Sequence, residues 1–181
     1  MFPAMGGAIG ENMKLARVAT REQIAAVAAL AREIWTQHYA PIIGMAQVEY
    51  MLDKFQSTEV IARQIAAERY EYYLAPDAGY LALVPDLAKK SLMLSKIYVK
   101  AALRGTGWGR TMAEFAEKRC SELGCGELWL TVNRNNAGSI AFYERRGFRK
   151  AQALVTDIGG GFVMDDWRMV KNVETAAAPG Q

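Results

Sequence analysis

Residues 92–123 read LMLSKIYVKAALRGTGWGRTMAEFAEKRCSEL and carry most of the information about the architecture of this chain. The apolar and aromatic character of Leu92–Val99 predicts a strand. A glycine-rich turn, Arg104–Arg110, follows, and from Trp108 and Met112 onward apolar residues recur at helical spacing. Glycines at alternate positions bring backbone N–H groups close to a ligand, and the start of a helix adds partial positive charge. The stretch therefore predicts a strand, a phosphate-binding turn and a helix in succession.

Basic residues surround this turn in the sequence and favour an anionic ligand, namely Lys96, Lys100, Arg104 and Arg110. Two common phosphate motifs fit poorly. A Walker A loop needs Gly-x-x-x-x-Gly-Lys-Ser/Thr, but here the second glycine comes one residue early and Arg110 replaces the lysine. A Rossmann fingerprint needs its third glycine one residue later. A tight turn without a ligand is the remaining alternative, which the basic residues disfavour.

The flanking segments alternate between helical and strand patterns. Thr20 and Gln23 form a capping box that opens a helix, which we expect to end at Pro41. The other predicted helices span 46–55, 58–69, 108–123 and 139–146, and the predicted strands span 14–18, 70–75, 80–84, 92–99, 127–132, 148–157 and 162–170. The strand–helix–strand order around the glycine turn predicts one parallel pair of strands. The expected fold class is therefore α/β, with α+β character.

Residue counts exclude several kinds of chemistry. The chain has 181 residues, a net charge of +3, one histidine and two cysteines. A structural zinc site takes about four histidine or cysteine ligands, and a disulfide scaffold takes more than two cysteines. A nucleic-acid binder usually carries a stronger excess of basic residues. A Ser-His-Asp triad could use only His38, and no Gly-x-Ser-x-Gly elbow is present. We therefore expect chemistry without a metal, a thiol nucleophile or a nucleic-acid partner.

Length and patterning predict one domain over residues 13–173. Residues 1–12 are expected to form a flexible extension, and residues 174–181 a flexible tail. No apolar run approaches the roughly 20 residues of a membrane helix, and the first residues lack the basic region of a signal peptide. These features predict a cytoplasmic protein without a membrane partner.

Two short motifs, correctly spaced from one another, identify a family resemblance. The first is Arg-x-x-Gly-x-Gly, with its glycines at Gly107 and Gly109, on the turn from a strand into a long helix. The second is Asn136-x-x-Ser139-x-x-x-Tyr143 followed by Gly-Phe, with a serine where the family usually has alanine. Together they resemble the GNAT acetyltransferase family over roughly residues 14–171. The resemblance implies a mixed, mostly antiparallel central sheet of six to seven strands, with a splayed parallel pair and helices on both faces.

This resemblance implies an acetyl-CoA-dependent N-acetyltransferase. In the family, acetyl-CoA lies between the splayed strands, its pyrophosphate binds at the glycine turn, and a tyrosine protonates the leaving thiolate. By similarity, Tyr143 is the expected catalytic acid, because a neutral phenol can donate a proton at pH 7. The expected cofactor-binding residues are Ile97, Tyr98, Val99, Arg104, Gly105, Thr106, Gly107, Trp108, Gly109, Arg110 and Asn136.

The acceptor side shows a second resemblance. The segments REIWTQHY (32–39), YMLDKF (50–55) and IGGGFVMDDWRMVK (158–171) look like the polyamine subgroup related to spermidine/spermine acetyltransferases. This implies a small cationic amine as acceptor, near Trp35, Tyr39, Asp165 and Asp166. Another small amine, a protein N-terminus or a lysine is an alternative acceptor. A non-catalytic acyl-CoA-binding module is the alternative function.

The general base and the oligomeric state stay open at this stage. The strand over 92–99 holds no carboxylate, although relatives often have a glutamate there. The amine proton could leave through a water chain or pass to a residue on the acceptor side. The candidates are Glu33, Glu49, Glu71 and His38. A homodimer formed at a sheet edge is compatible with the chain.

Overall fold

A seven-stranded sheet with helices packed against it occupies residues 13–176, the part of the chain that the computed structural model describes. The elements in chain order are β1 (Ala16–Arg17), α1 (Arg21–Ile43), α2 (Met45–Gln56), α3 (Thr58–Ala67), β2 (Glu71–Ala75), β3 (Gly79–Asp86), β4 (Ser91–Val99), a 3₁₀ turn (Ala101–Leu103), α4 (Trp108–Glu122), β5 (Glu127–Asn133), α5 (Ala137–Arg145), β6 (Arg149–Gly159) and β7 (Phe162–Asn172). The predicted extension, 1–12, and residues 177–181 of the predicted tail lie outside this range.

The strand order is β1-β2-β3-β4-β5-β7-β6. Every neighbouring pair is antiparallel except β4 and β5, which are parallel. The expected mixed sheet with one parallel pair is therefore confirmed. All predicted elements are present, and most boundaries agree to within about three residues.

The end of α1 differs from the prediction. The helix continues past Pro41 to Ile43, and the Gly44 N–H then donates to the Ala40 carbonyl at 3.0 Å, with Gly44 at φ 85°. A proline in the last turn removes only one helical hydrogen bond, so the glycine that follows three residues later ends the helix instead. The predicted start of α1 is correct, because Thr20 and Gln23 exchange both hydrogen bonds of a capping box.

Apolar side chains cover both faces of the sheet, as expected for a layer with helices on each side. One core packs α4 and α5 against the sheet through residues such as Met112 and Leu128. The other packs α1, α2 and α3 against the opposite face through residues such as Ile34 and Tyr80. The sheet is therefore a wall between two apolar layers, and a residue's place in a strand determines which layer it joins.

A β-bulge lies in the middle of β4. Ala82 pairs with Lys96 and Leu83 with Leu94, so Ser95 is an extra residue without a partner on β3. A bulge shifts the alternation of side chains and increases the local twist. As a result, Leu94 faces the α4 layer, whereas Lys96 lies on the α1–α3 face.

Candidate active site

A cleft opens where β4 and β5 separate. The two strands pair only at their first three positions, from Ser91 with Glu127 to Met93 with Trp129. Beyond this point the strands diverge, and Ile97 and Val99 of β4 line the space between them. The edge of a strand that lacks a neighbour can hydrogen-bond an extended, amide-bearing molecule.

The glycine turn closes one end of the cleft with unpaired backbone donors. Gly105 and Gly107 have φ values of 78° and 103°, which a residue with a side chain rarely adopts. Within residues 13–176, no protein acceptor takes the N–H groups of Gly105 or Gly107, or those of the first turn of α4, residues 108–110. The Thr106 hydroxyl donates to the Leu103 carbonyl at 2.6 Å and stabilises the turn. These converging donors at a helix start suit a phosphate group.

The basic side chains around the turn occupy different positions. Arg104 lines the cleft, and Arg110 forms an exposed ion pair with Glu114 at 2.8 Å. Lys100 pairs with Glu33 at 3.4 Å. The expectation that Lys96 also lies around the turn is wrong, because the Ser95 bulge directs it to the other face of the sheet. Two arginines outside the predicted set, at 145 and 146, complete a shallow basic hollow beside Arg110.

Asn136 orients His38 at the wall of the cleft. Its Oδ1 caps α5 by accepting the Ser139 N–H at 3.2 Å. Its Nδ2 therefore faces Nε2 of His38, 3.0 Å away, and donates to it. Burial and the nearby positive charge of Arg104 lower the pKa of His38. His38 thus lies in the site as a neutral ring whose Nε2 is already engaged.

Tyr143 lies on the same face of α5, with its side chain directed into the cleft. Its ring packs edge-on against Phe142 and Phe148, with centroids 5.3 Å and 5.6 Å away. Burial raises the pKa of Tyr143 well above the ordinary value for a phenol. The hydroxyl therefore keeps its proton across the physiological range and can act as a donor.

A second cavity, of about 290 Å³, lies on the α1–α3 face of the sheet and is called the acceptor cavity below. It shares wall residues with the cleft, namely Tyr39, Ser95, Tyr98, Thr131 and Val132. Of the four predicted acceptor residues, Trp35, Tyr39 and Asp166 line this cavity. Asp165 does not, since its carboxylate pairs with Nε of Arg134 at 2.8 Å.

Comparison with known proteins identifies the family. The model of the acetyltransferase (GNAT) family matches residues 29–148. This chain belongs to the GNAT acetyltransferase family. It is therefore an acetyl-CoA-dependent acyltransferase, as its two motifs predicted.

Individual relatives are distant. An uncharacterised N-acetyltransferase of Lactobacillus delbrueckii subsp. lactis is 27% identical over 141 residues, which cover 72% of this chain and 82% of that protein. The PaiA N-acetyltransferase of Thermoplasma acidophilum, solved in complex with coenzyme A, has a TM-score of 0.68 at 24% identity, covering 88% of this chain and 99% of that one. A mutant of the spermidine N-acetyltransferase of Vibrio cholerae has a TM-score of 0.64 at 18% identity, covering 89% and 94%. At such identities the solved structures show a shared fold.

The site of this GNAT enzyme fits coenzyme A. Unpaired N–H groups at the glycine turn match a pyrophosphate, and the open β4 edge matches the amides of the pantetheine arm. Within residues 13–176, no group of histidine, cysteine and carboxylate side chains is arranged to hold a metal ion. None of the helices in that range combines the length and apolar character needed to cross a bilayer.

The glutamates considered as bases lie away from the chemistry. Glu71 forms a two-point ion pair with Arg119, at 2.8 Å and 2.9 Å. Glu33 is held by Lys100, and Glu49 is exposed on α2. None of the three lines the cleft or the acceptor cavity. His38 is the one candidate from the sequence that the structure brings to the cleft.

Proposed function

We propose that this enzyme transfers the acetyl group from acetyl-CoA to the primary amine of a small molecule by direct attack. The observation that carries the proposal is the wall that the cleft and the acceptor cavity share. Ser95 and Tyr98 are among the residues that line both spaces, so the two spaces are adjacent. An amine in the acceptor cavity can therefore reach a thioester in the cleft without a covalent enzyme intermediate.

The cofactor contacts follow from the same geometry. The backbone of Ile97, Tyr98 and Val99 is proposed to pair with the pantetheine arm as an added strand. The N–H groups from Gly105 to Arg110 are proposed to hold the pyrophosphate, with Arg104 beside them. Trp108 supports this turn by packing its ring against the α4 core. Asn136 contributes as the cap that positions both α5 and His38.

The chemical step needs few protein groups. The amine nitrogen attacks the thioester carbonyl carbon, and backbone N–H groups near Tyr98 and Val99 stabilise the developing oxyanion. As the carbon–sulfur bond breaks, the Tyr143 hydroxyl gives its proton to the departing thiolate. Because Nε2 of His38 already accepts a hydrogen bond from Asn136, the proton lost by the amine passes to water, and water returns a proton to the Tyr143 oxygen. The products are an N-acetylated amine and free coenzyme A.

Closure of the acceptor cavity supports a small acceptor over a protein substrate. Helix α2 is held to the tip of the β6–β7 hairpin by three side chains, since Lys54 donates to the same Ile158 carbonyl as Tyr50 and Gln47 donates to Val163. The Tyr50 hydroxyl donates to the Ile158 carbonyl at 2.7 Å, and Gln47 Nε2 donates to the Val163 carbonyl at 2.8 Å. A lysine on a folded protein surface would have to pass this closure. Polyamines remain one predicted class of acceptor, consistent with Asp166 in the wall.

A thiol-release assay tests the proposal. The enzyme is incubated with acetyl-CoA and a panel of amines that includes spermidine, lysine and a short peptide, and free coenzyme A is measured. Amine-dependent release supports transfer. Binding of acetyl-CoA, seen as thermal stabilisation, without release on any amine would favour the non-catalytic binding module. We also propose that residues 13–173 act as one domain, whereas homodimer formation stays a prediction.

A further inference from the structure

Lys96 is a buried cation in the wall of the acceptor cavity. The residue is only 6% exposed, on a strand whose other members are apolar or aromatic except for Ser91 and Ser95. Its ammonium lies over two aromatic rings, 4.8 Å from the Tyr70 centroid and 5.2 Å from the Tyr72 centroid. Tyr70 lines the same cavity, so the charged end of Lys96 lies at this wall.

Within residues 13–176, no carboxylate forms an ion pair with Lys96. The carboxylate whose charge acts on it most, that of Glu68, is instead held by Nε of Arg63 at 2.8 Å. Ring faces attract a cation but replace only part of its hydration. A buried ammonium with no anionic partner is costly, and such groups are normally paired. A ligand that carries a negative group would supply the missing partner.

Two buried glutamines add donors near the same wall. Gln56 and Gln64 are 3% and 6% exposed, and both line the acceptor cavity. The Tyr72 hydroxyl donates to Oε1 of Gln64 at 2.6 Å, and the Tyr80 hydroxyl donates to Oε1 of Gln56 at 3.4 Å. With their oxygens engaged, both amides keep Nε2 free, because neither donates to a protein acceptor within residues 13–176. Amide and ammonium donors together are suited to a carboxylate.

A buried acid lines another part of the same cavity. Asp166, on β7, is 6% exposed and pairs with no cation within residues 13–176. In the sheet, Asp166 pairs with Asn133 of β5. The residue before Asn133 is Val132, which belongs to the wall shared with the cleft. Among residues 13–176, the cavity therefore holds an unpaired acid close to the wall shared with the cleft and an unpaired base with two amide donors.

We propose that the acceptor of this enzyme is an amine that also carries a carboxylate. This inference rests on the proposed function. The ammonium group of the acceptor binds at Asp166 beside the cleft, and its carboxylate binds at the anion subsite, defined as Lys96, Gln56 and Gln64. A polyamine would bring a second cation toward Lys96, which forms no ion pair with a carboxylate within residues 13–176. The subsite therefore selects amino-carboxylates over polyamines of similar length.

Matched acceptor pairs test the subsite. We would measure kcat/KM for lysine against cadaverine and for ornithine against putrescine, with spermidine as a further acceptor. In each pair the carbon chain and the amines are retained, and only the carboxylate is lost. We expect the wild-type enzyme to prefer the carboxylate-bearing member by about 10- to 100-fold. Lys96→Met should abolish this preference by slowing only the carboxylate-bearing acceptors. Lys89→Met makes the same change at a side chain that is 81% exposed and should leave the preference unchanged.

The outcomes separate the subsite from the transfer reaction. Equal kcat/KM within the pairs, or equal losses for both members in Lys96→Met, would overturn the subsite while leaving acetyl transfer established. If no amine releases coenzyme A, the proposed function fails, and calorimetric titration of lysine and cadaverine in the presence of coenzyme A decides the subsite. Tighter binding of lysine that depends on Lys96 supports it, and equal binding of the two amines overturns it. Should Lys96→Met fail to fold, the wild-type preference within the matched pairs supports or overturns the subsite by itself.

Discussion

Replacing Lys96 by methionine should stabilise the enzyme while damaging its use of the acceptor. Burial lowers the pKa of Lys96 from the ordinary 10.5 to about 7. A difference of that size corresponds to about 5 kcal/mol of destabilisation when the ammonium is charged in the folded state. Methionine has similar length and no charge, so Lys96→Met removes this cost and keeps the apolar contacts. We expect the free energy of unfolding to rise by about 1–4 kcal/mol at pH 6.

The stability of the wild-type enzyme should increase with pH, because the pKa of Lys96 is lower in the folded state than in the unfolded state. The unfolded chain keeps Lys96 protonated up to about pH 10.4, whereas the folded chain begins to lose that proton near pH 7. Between these values the unfolded state binds more protons, so the stability of the wild type increases with pH. The destabilisation caused by burying the Lys96 ammonium is about 5 kcal/mol below pH 7 and falls to about 2 kcal/mol at pH 9. The advantage of Lys96→Met should shrink accordingly.

Urea denaturation followed by circular dichroism at pH 6, 7.5 and 9 measures this effect. The wild type, Lys96→Met and the exposed control Lys89→Met are compared without ligands. The control should follow the wild type at every pH. A Lys96→Met protein that is less stable than the wild type at pH 6 would refute the reasoning, because the buried ammonium would then have a partner. A stability difference that does not change with pH would refute it equally.

Three further changes test other parts of the site. Tyr143→Phe should lower turnover by about 100-fold in the thiol-release assay and leave the calorimetric affinity for acetyl-CoA within about 2-fold; equal turnover removes the acid role. Gly79→Ala should lower the free energy of unfolding by about 2 kcal/mol or more, because the added Cβ would collide with the Tyr98 carbonyl oxygen. Gly138→Ala is the control, since a Cβ there meets open space. Urea titrations that show equal stability for the two variants would contradict this. Burial and the neighbouring Asp165 raise the pKa of Asp166 to about 6. Acceptor kcat/KM should therefore fall as pH drops through 6, and a pH profile of Asp166→Asn that keeps this limb would exclude the assignment.

Local chemistry made the glycine turn and the start of α5 predictable from the sequence. The turn from β4 into α4 depends on glycines within a few residues of one another, and such turns are encoded by adjacent residues. The Asn136 cap and Tyr143 lie on one short helix, so their relative placement follows from helical spacing. The capping box at Thr20 gave the start of α1 for the same reason. These features need no knowledge of distant contacts.

The acceptor side depends on contacts between distant segments and could not be derived in the same way. The lining of the anion subsite comes from α2, α3 and β4, whose approach follows from packing rather than from local pattern. In strict alternation, Leu94 and Lys96 would share one face of β4, but an unpaired residue in the strand separates them. A lysine inside an apolar strand was the available signal. Its proximity to the glycine turn in the sequence led instead to a role at the phosphates.

Because of the bulge at Ser95, the alternation of side chains between the two faces of β4 is inverted along the strand. Before the bulge, alternate side chains of β4 belong to the core beneath α4. After the bulge, Lys96 and Tyr98 lie on the acceptor side, whereas Ile97 and Val99 line the cofactor cleft. A strand that kept Ser95 but lost the bulge, with strict alternation of side chains up to Val99, would exchange the two sets. The ammonium would move to the coenzyme and the aliphatic side chains to the acceptor, with every downstream residue chemically unchanged. The register of the strand, rather than the identity of its residues, therefore determines which side chains contact each substrate.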